Sequence, residues 1–293
     1  MGFECYHPAI NLIYFVAVIA GTFLFKQPVF LLISYISAFA YSCKRNGKRS
    51  LIFNLCLLPF VAVFAMYYSG YHHFGLTSLG QNFIGNQMTL ESLVYGVVLG
   101  LTVAIFMMWM SCVHSVFTAD KVVYLFGRVS AYAALFLSLV LRMIPRCKAQ
   151  LKKISTARKA IGRGTNQGNL FRRAWNGIII FSMLITWLLE SFSTISESMR
   201  SRGFGLKKRT AFSIYRFDNR DRSFVVAVFA CLTLILMGHL LNQTHISFDP
   251  RIAMGPITPM SYLFYGAYLC LCLMPMALEL IGEWSFAHRR ECV

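Results

Sequence analysis

Residues 93–113 have the sequence LVYGVVLGLTVAIFMMWMSCV, a run of 21 residues without a charged side chain. About 20 mostly apolar residues are enough for a helix to cross the hydrocarbon core of a bilayer. Similar runs lie at Leu51–Tyr68, Phe224–Leu241 and Tyr262–Ile281, and shorter ones at Ile10–Phe25 and Pro28–Tyr41. Together these segments predict an all-α, polytopic membrane protein with about six transmembrane segments.

The composition of the whole chain agrees with a membrane protein. Of the 293 residues 57% are apolar and 13% are charged, whereas soluble domains have about 25% charged residues. A soluble enzyme and a disordered protein are therefore excluded. The formal net charge is +17, but the apolar bulk argues against a nucleic acid partner. The cysteines follow no metal or disulfide spacing, and we expect no catalytic residues, metal or cofactor.

The basic residues are concentrated in one region, Arg142–Arg222. It holds 18 Lys and Arg and four Asp and Glu, a net charge of +14. Basic loops of membrane proteins stay on the cytoplasmic side, so we place this region in the cytoplasm, together with both termini. The expected organisation is N-terminal transmembrane segments over 1–116, a cytoplasmic helical region over 117–222 and C-terminal transmembrane segments over 223–293.

Two apolar stretches inside the basic region, Val129–Leu141 and Gly177–Leu189, have 13 residues each and are flanked by charges. That length is below the roughly 17 residues that a crossing needs, so we predict that neither spans the membrane. In the alternative, both cross, and the nine basic residues within Pro145–Arg173 lie outside. That arrangement would run against the usual inside-positive distribution.

Two long basic helices are predicted in the cytoplasmic region. Apolar residues recur every three or four positions over Ala174–Arg202, which is typical of an amphipathic helix. A second helix is predicted over Arg146–Gly162, with Pro145 in its first turn. Such helices lie on anionic lipid, or they dock a soluble partner through arginines that donate paired hydrogen bonds to carboxylates.

Two motifs in this region resemble a known family. Ser198–Phe204, SMRSRGF, is similar to the A-M-x-A-R-G-Y motif of the transmembrane T component of energy-coupling factor transporters, and Arg209-Thr210 follows it. Leu141–Pro145, LRMIP, resembles the L-R-F-I-P of the same family. Thr89–Gly96 and Asp120–Phe126 also resemble T-component sequence. The likeness extends over nearly the whole chain.

The resemblance implies a coupling subunit of an ATP-driven importer of vitamins or metal ions in a bacterial or archaeal cell membrane. In that family, cytoplasmic coupling helices join two ABC-type ATPase subunits to a small substrate-binding membrane subunit, the S subunit. The chain would then not be an enzyme, and it contains no G-x-x-x-x-G-K phosphate loop. The alternatives are a self-sufficient channel or secondary carrier and a membrane-bound lipid enzyme.

The resemblance also implies where the ATPases dock. Arg202, between Ser201 and Gly203, matches the second of two helix-terminal A-R-G-like motifs. The first motif departs from the family pattern, because Ile161 stands where its arginine is expected. Arg158 and Arg163 are alternatives for that arginine. The full set of implied docking positions is Ala160, Ile161, Gly162, Arg163, Arg158, Ser201, Arg202 and Gly203. Arg142, Pro145 and Met199 are expected to maintain the structure of the coupling helices.

Overall fold

A computed structural model describes residues 3–72, 74–81, 87–166, 169–204, 215, 217–249, 251–255 and 258–291. The helices in these residues are α1 (Pro8–Leu24), α2 (Pro28–Asn46), α3 (Lys48–Tyr71), α4 (Leu90–Val116), α5 (Ala119–Val129), α6 (Ala131–Ala160), α7 (Leu170–Ser201), α8 (Asn219–Leu240) and α9 (Pro259–Glu291). Two short antiparallel pairs join β1 (Ser78–Gln81) to β2 (Gln87–Thr89), and β3 (Ile246–Ser247) to β4 (Ala253–Met254). The all-α, polytopic membrane fold predicted from the sequence is confirmed.

The chain divides into two compact units. The first unit comprises Met1–Thr118 and Tyr215–Val293, and the second comprises Ala119–Ile214. In the first unit α4 packs on α1, α2 and α3, and α9 packs on α2 and α8. In the second unit α6 packs on both α5 and α7.

Large side chains fill the core of the first unit, and two of them form hydrogen bonds between helices. Trp109 on α4 is fully buried, and its Nε1 donates a hydrogen bond to the Ser34 hydroxyl on α2 at 3.2 Å. The buried Tyr14 hydroxyl on α1 donates to the Leu271 carbonyl oxygen on α9 at 3.1 Å. Since a bilayer offers no water to polar groups, these bonds stabilise the contacts of α4 with α2 and of α1 with α9.

Close contact between α3 and α4 depends on two glycines four residues apart. A Cβ added to Gly96 would lie 3.0 Å from the Ala65 carbonyl oxygen. A Cβ on Gly100 would lie 3.2 Å from the Val61 side chain. Small residues with this spacing let two helix backbones approach each other in a membrane.

Five helices in the described residues are long and apolar enough to cross a membrane: α3, α4, α7, α8 and α9. Four of them coincide with predicted spans. The predicted segments Ile10–Phe25 and Pro28–Tyr41 form α1 and α2, which are joined by a three-residue turn. Helix α1 is apolar but has only 17 residues.

Helix α7 differs from the expectation based on Gly177–Leu189. That stretch was predicted to be too short to cross. It lies within a continuous helix of 32 residues that is long and apolar enough to cross a membrane. The prediction ended the stretch at the charged residues Arg173 and Glu190, whereas the helix continues past both of them, because charged residues do not interrupt the backbone hydrogen bonds of a helix.

The prediction that a helix begins at Pro145 is wrong. Pro145 lies in the middle of α6, a helix of 30 residues. The helix instead begins after Ser130, whose hydroxyl accepts a hydrogen bond from the Ala133 amide at 3.5 Å. An interior proline removes one backbone hydrogen bond and costs about 3 kcal/mol. Thirty helical residues packed on α5 and α7 offset that cost.

Candidate functional site

The C-terminal end of α7 has a defined backbone geometry. Gly203 adopts φ +78°, in the left-handed region that glycine tolerates best. Its amide donates to the Arg200 carbonyl oxygen at 3.0 Å, and the Phe204 amide donates to the Met199 carbonyl oxygen at 3.0 Å. This pair of bonds is a Schellman motif. It holds the preceding residue, Arg202, at the helix end with its side chain exposed.

The end of α6 has the same geometry. Gly162 adopts φ +72°, and its amide donates to the Lys159 carbonyl oxygen at 3.1 Å. The Arg163 amide donates to the Arg158 carbonyl oxygen at 3.0 Å. The sequence AIGR at the end of α6 and the sequence SRGF at the end of α7 therefore form the same structure.

The matching geometry identifies the residue of α6 that is equivalent to Arg202. Ile161 occupies the same C-cap position, and 73% of its surface is exposed. Arg163 corresponds to Phe204, and Arg158 corresponds to Met199. Arg158 is half-buried, and its Nε and Nη2 atoms are enclosed without a hydrogen-bond partner in the described part of the chain. Of the three alternatives, Ile161 is thus the positional counterpart of the arginine.

Helices α6 and α7 pack side by side in opposite directions. Near the turn between them, the Asn176 side-chain amide donates to the Gly164 carbonyl oxygen at 3.2 Å. Further away they enclose a groove of about 300 Å³. Its lining residues are Leu139, Arg142, Met143, Arg146, Thr194, Ile195, Ser198, Met199 and Arg202. Arg142 and Met199, predicted to have structural roles, are thereby brought together with Arg202.

The two helix ends are separated from each other. Arg202 lines the groove with Arg142, and Ile161 lies 19 positions after Arg142, which corresponds to ~28 Å of helix at 1.5 Å per residue. The exposed Ile161 and Arg202 therefore do not form one site. They are two separate surfaces on one helix pair. The predicted Arg209-Thr210 motif lies outside the described residues.

A charged network in the first unit was not predicted from the sequence. The Arg45 guanidinium on α2 pairs with Glu4 and lies 3.5 Å from the Glu279 carboxylate on α9. Its Nε also donates to the Ser115 hydroxyl on α4 at 2.9 Å. Next to it, Lys44 pairs with Glu283 at 3.0 Å. The available signal was that these basic and acidic residues lie at the ends of segments expected on the same side of the membrane.

The beginning of α8 is also tied to the N-terminal segment. Asp221 accepts hydrogen bonds from the Asp218 amide at 3.1 Å and from the His7 amide at 3.4 Å. Tyr6 lies near the same carboxylate, and burial together with the negative charge of Asp221 raises the pKa of its phenol. Backbone donors therefore position the Asp221 side chain at this helix N-terminus, where the helix dipole favours a negative charge.

Comparison with known proteins finds similarity to one kind of transporter subunit. No family model matches the chain. Over 92 residues it is 34% identical to an energy-coupling factor transporter transmembrane protein EcfT from Lacticaseibacillus paracasei, covering 30% of this chain and 34% of that protein. Over 109 residues it is 29% identical to the transmembrane protein EcfT 1 from Listeria monocytogenes serotype 1/2a, covering 37% of this chain and 39% of that protein.

The matched segments thus span between a third and two fifths of the length of these curated relatives. The similarity agrees with the motifs in the sequence and with the membrane-spanning helices of the fold. The chain is a multi-pass membrane protein that is similar, over part of its length, to the transmembrane T component of energy-coupling factor transporters.

Proposed function

We propose that this protein is the coupling subunit of an ATP-driven importer of the energy-coupling factor type. In this proposal α7 lies on the cytoplasmic side and does not cross the bilayer, and two ABC-type ATPase subunits bind the ends of α6 and α7 there. A small membrane subunit binds the substrate, a vitamin or a metal ion. The chain itself hydrolyses no ATP and transmits the movement of the ATPases to the substrate-binding subunit.

The observation that carries this proposal is that α6 and α7 end with the same backbone geometry. Each end is fixed by a Schellman motif, and each presents one exposed side chain at the C-cap, Ile161 on α6 and Arg202 on α7. A packed helix pair with two docking points ~28 Å apart suits a lever that two partner subunits move together. Because one point is apolar and the other cationic, we propose that the two ATPases are held by different chemistry.

Helix α7 also has an apolar surface that the described part of the chain leaves uncovered. Phe171 is 84% exposed, and Trp175, Ile178, Phe181 and Leu189 are each at least 59% exposed. A large apolar surface of this kind marks contact with lipid or with another protein. This surface supports the proposal because a coupling subunit must contact partners inside or beside the membrane.

The first test is isolation of the tagged full-length chain from its native membranes in mild detergent, with identification of the co-purifying proteins. We expect ABC-type ATPase subunits together with a small apolar membrane protein. A chain that purifies alone and transports a solute by itself in liposomes would contradict the proposal and favour an autonomous carrier.

Arg202→Glu tests the docking point on α7. If the guanidinium pairs with a carboxylate of an ATPase, loss of the pair costs about 2–5 kcal/mol, which lowers affinity by at least about 30-fold. We expect the variant to lose one ATPase during washing. Arg172→Glu makes the same charge change at the exposed beginning of α7 and serves as the matched control. Equal ATPase retention by both variants would refute the role of Arg202.

Ile161→Glu tests the docking point on α6 in the same assay. We expect weaker retention of the other ATPase, because a carboxylate would be buried in an apolar contact. Leu170, which is 80% exposed beyond the same turn, provides the control Leu170→Glu. If Ile161→Glu left the complex unchanged, Arg163 or another residue would have to make the contact with the ATPase.

A further inference from the structure

The groove between α6 and α7 has an unusual concentration of positive charge. Arg142 and Arg146 on α6 and Arg202 on α7 all line it, and no carboxylate does so among the described residues. No ion pair joins any of these arginines to another described residue. Three guanidinium groups around a space of about 300 Å³ repel one another, and an anion in the groove would remove that repulsion.

The groove also supplies neutral hydrogen-bond donors. The hydroxyl-bearing residues Thr194 and Ser198 line the α7 side. Guanidinium groups and hydroxyls are the side chains that bind phosphate oxygens, since arginine donates two parallel hydrogen bonds and hydroxyls add single ones. These donors suit a phosphate group, whose oxygens accept several hydrogen bonds at once.

Apolar residues from both helices also line the groove. They are Leu139 and Met143 on α6, of which Met143 is only 4% exposed, and Ile195 and Met199 on α7. The groove lies on α6 where the apolar residues 131–141 give way to the basic residues that begin at Arg142. A free phosphate ion would gain no binding free energy from these apolar side chains. A phospholipid would, because its acyl chains begin close to its phosphate.

We propose that this groove binds an anionic phospholipid, with the phosphate between Arg142 and Arg146 and the beginning of the acyl chains against the apolar lining residues, while Arg202 stays available to a protein partner. The lipid would hold the middle of α6 to the end of α7, next to Arg202. This inference goes beyond the coupling function and does not depend on it, because it rests on the groove alone.

The test is lipid binding to the purified full-length chain in detergent, measured by native mass spectrometry during titration with phosphatidylglycerol. Phosphatidylcholine and inorganic phosphate are titrated in parallel. We expect phosphatidylglycerol to bind more tightly than phosphatidylcholine, and millimolar phosphate to leave its binding unchanged. Displacement by phosphate at that concentration would overturn the lipid assignment.

The matched variants are Arg142→Gln with Arg146→Gln, and Lys148→Gln with Lys153→Gln. Both pairs remove two positive charges from α6, but the two lysines do not line the groove. A hydrogen bond to a charged group is worth roughly 1.5–3 kcal/mol, so each arginine should change affinity by about tenfold or more. We expect the arginine pair to weaken phosphatidylglycerol binding about 100-fold and the lysine pair by less than about threefold. Equal weakening would overturn the proposal.

Ser198→Leu tests the groove without a change of charge. We expect the larger side chain to occupy the groove and weaken phosphatidylglycerol binding while circular dichroism still shows the native helix content. Unaltered lipid binding in this folded variant would mean that the lipid binds elsewhere, and the proposal would be wrong.

Discussion

Gly96→Ala should destabilise the protein although alanine is the better helix former. The added methyl group would lie 3.0 Å from the carbonyl oxygen and 3.1 Å from the Cα of Ala65. Favourable separations between carbon atoms are about 3.5–4.0 Å. The obstructing atoms belong to the backbone of α3, so they cannot move away by a side-chain rotation, and α3 and α4 must separate.

The expected magnitude follows from two opposing terms. Replacement of glycine by alanine inside a helix gains about 1 kcal/mol, and overpacking of a well-packed interface costs about 1–3 kcal/mol. Gly266 on α9 provides the matched control, because a Cβ there would meet nothing within 4 Å. Gly266→Ala should show the gain alone. The two variants should therefore differ by about 1–3 kcal/mol in free energy of unfolding.

The assay is thermal unfolding of both variants in the same detergent at the same scan rate. At roughly 2–4 °C per kcal/mol for a chain of this size class, Gly96→Ala should melt several degrees below Gly266→Ala. If Gly96→Ala melted at or above the control, the close approach of α3 and α4 at Gly96 would be refuted.

Two further substitutions test the charged network and the helix end. Arg45→Gln should lower the free energy of unfolding by about 3 kcal/mol, because it leaves the Glu279 carboxylate, 7% exposed, without its cation. Lys44→Gln, whose carboxylate partner is 68% exposed, should cost less than about 1 kcal/mol, and equal Tm losses for the two would contradict this account. Gly203→Ala should increase amide hydrogen exchange at Phe204 about tenfold, because a left-handed residue other than glycine costs about 1–2 kcal/mol. Gly177→Ala, at an open helical position of α7, should leave that exchange unchanged, and equal rates in the two variants would argue against the cap.

Much of the fold was predictable because membrane helices depend on local composition. Residues 93–113 have to form a helix in lipid, since only a helix satisfies their backbone groups within one segment. The end of α7 was also predictable, because glycine after a helix takes the left-handed cap. Pro145 misled the prediction, because proline is usual in a first turn and the continuation of α6 depends on packing against its neighbours.

The candidate site, too, was predictable from the sequence only in part. Arg202 and Gly203 were recognisable from a local motif, and Ile161 was recognisable only as a departure from it. That Ile161 occupies the same C-cap position as Arg202 became apparent when the backbone hydrogen bonds of both ends were compared. The groove at Arg142 and Arg146 has no signal in the sequence, since its two walls come from residues about 50 positions apart.

By itself, the sequence determined that the chain lies in a membrane, where its basic residues are concentrated and that its two basic helices end at glycines. These properties follow from the solvation of side chains and from backbone conformation, which act over a few residues. The tertiary structure decided that α6 continues through Pro145, that Gly96 contacts α3, that Arg45 joins Glu4 to Glu279, and that three arginines surround one groove. Each of these depends on which helices pack together, and that choice is made by the shapes of surfaces distant in sequence.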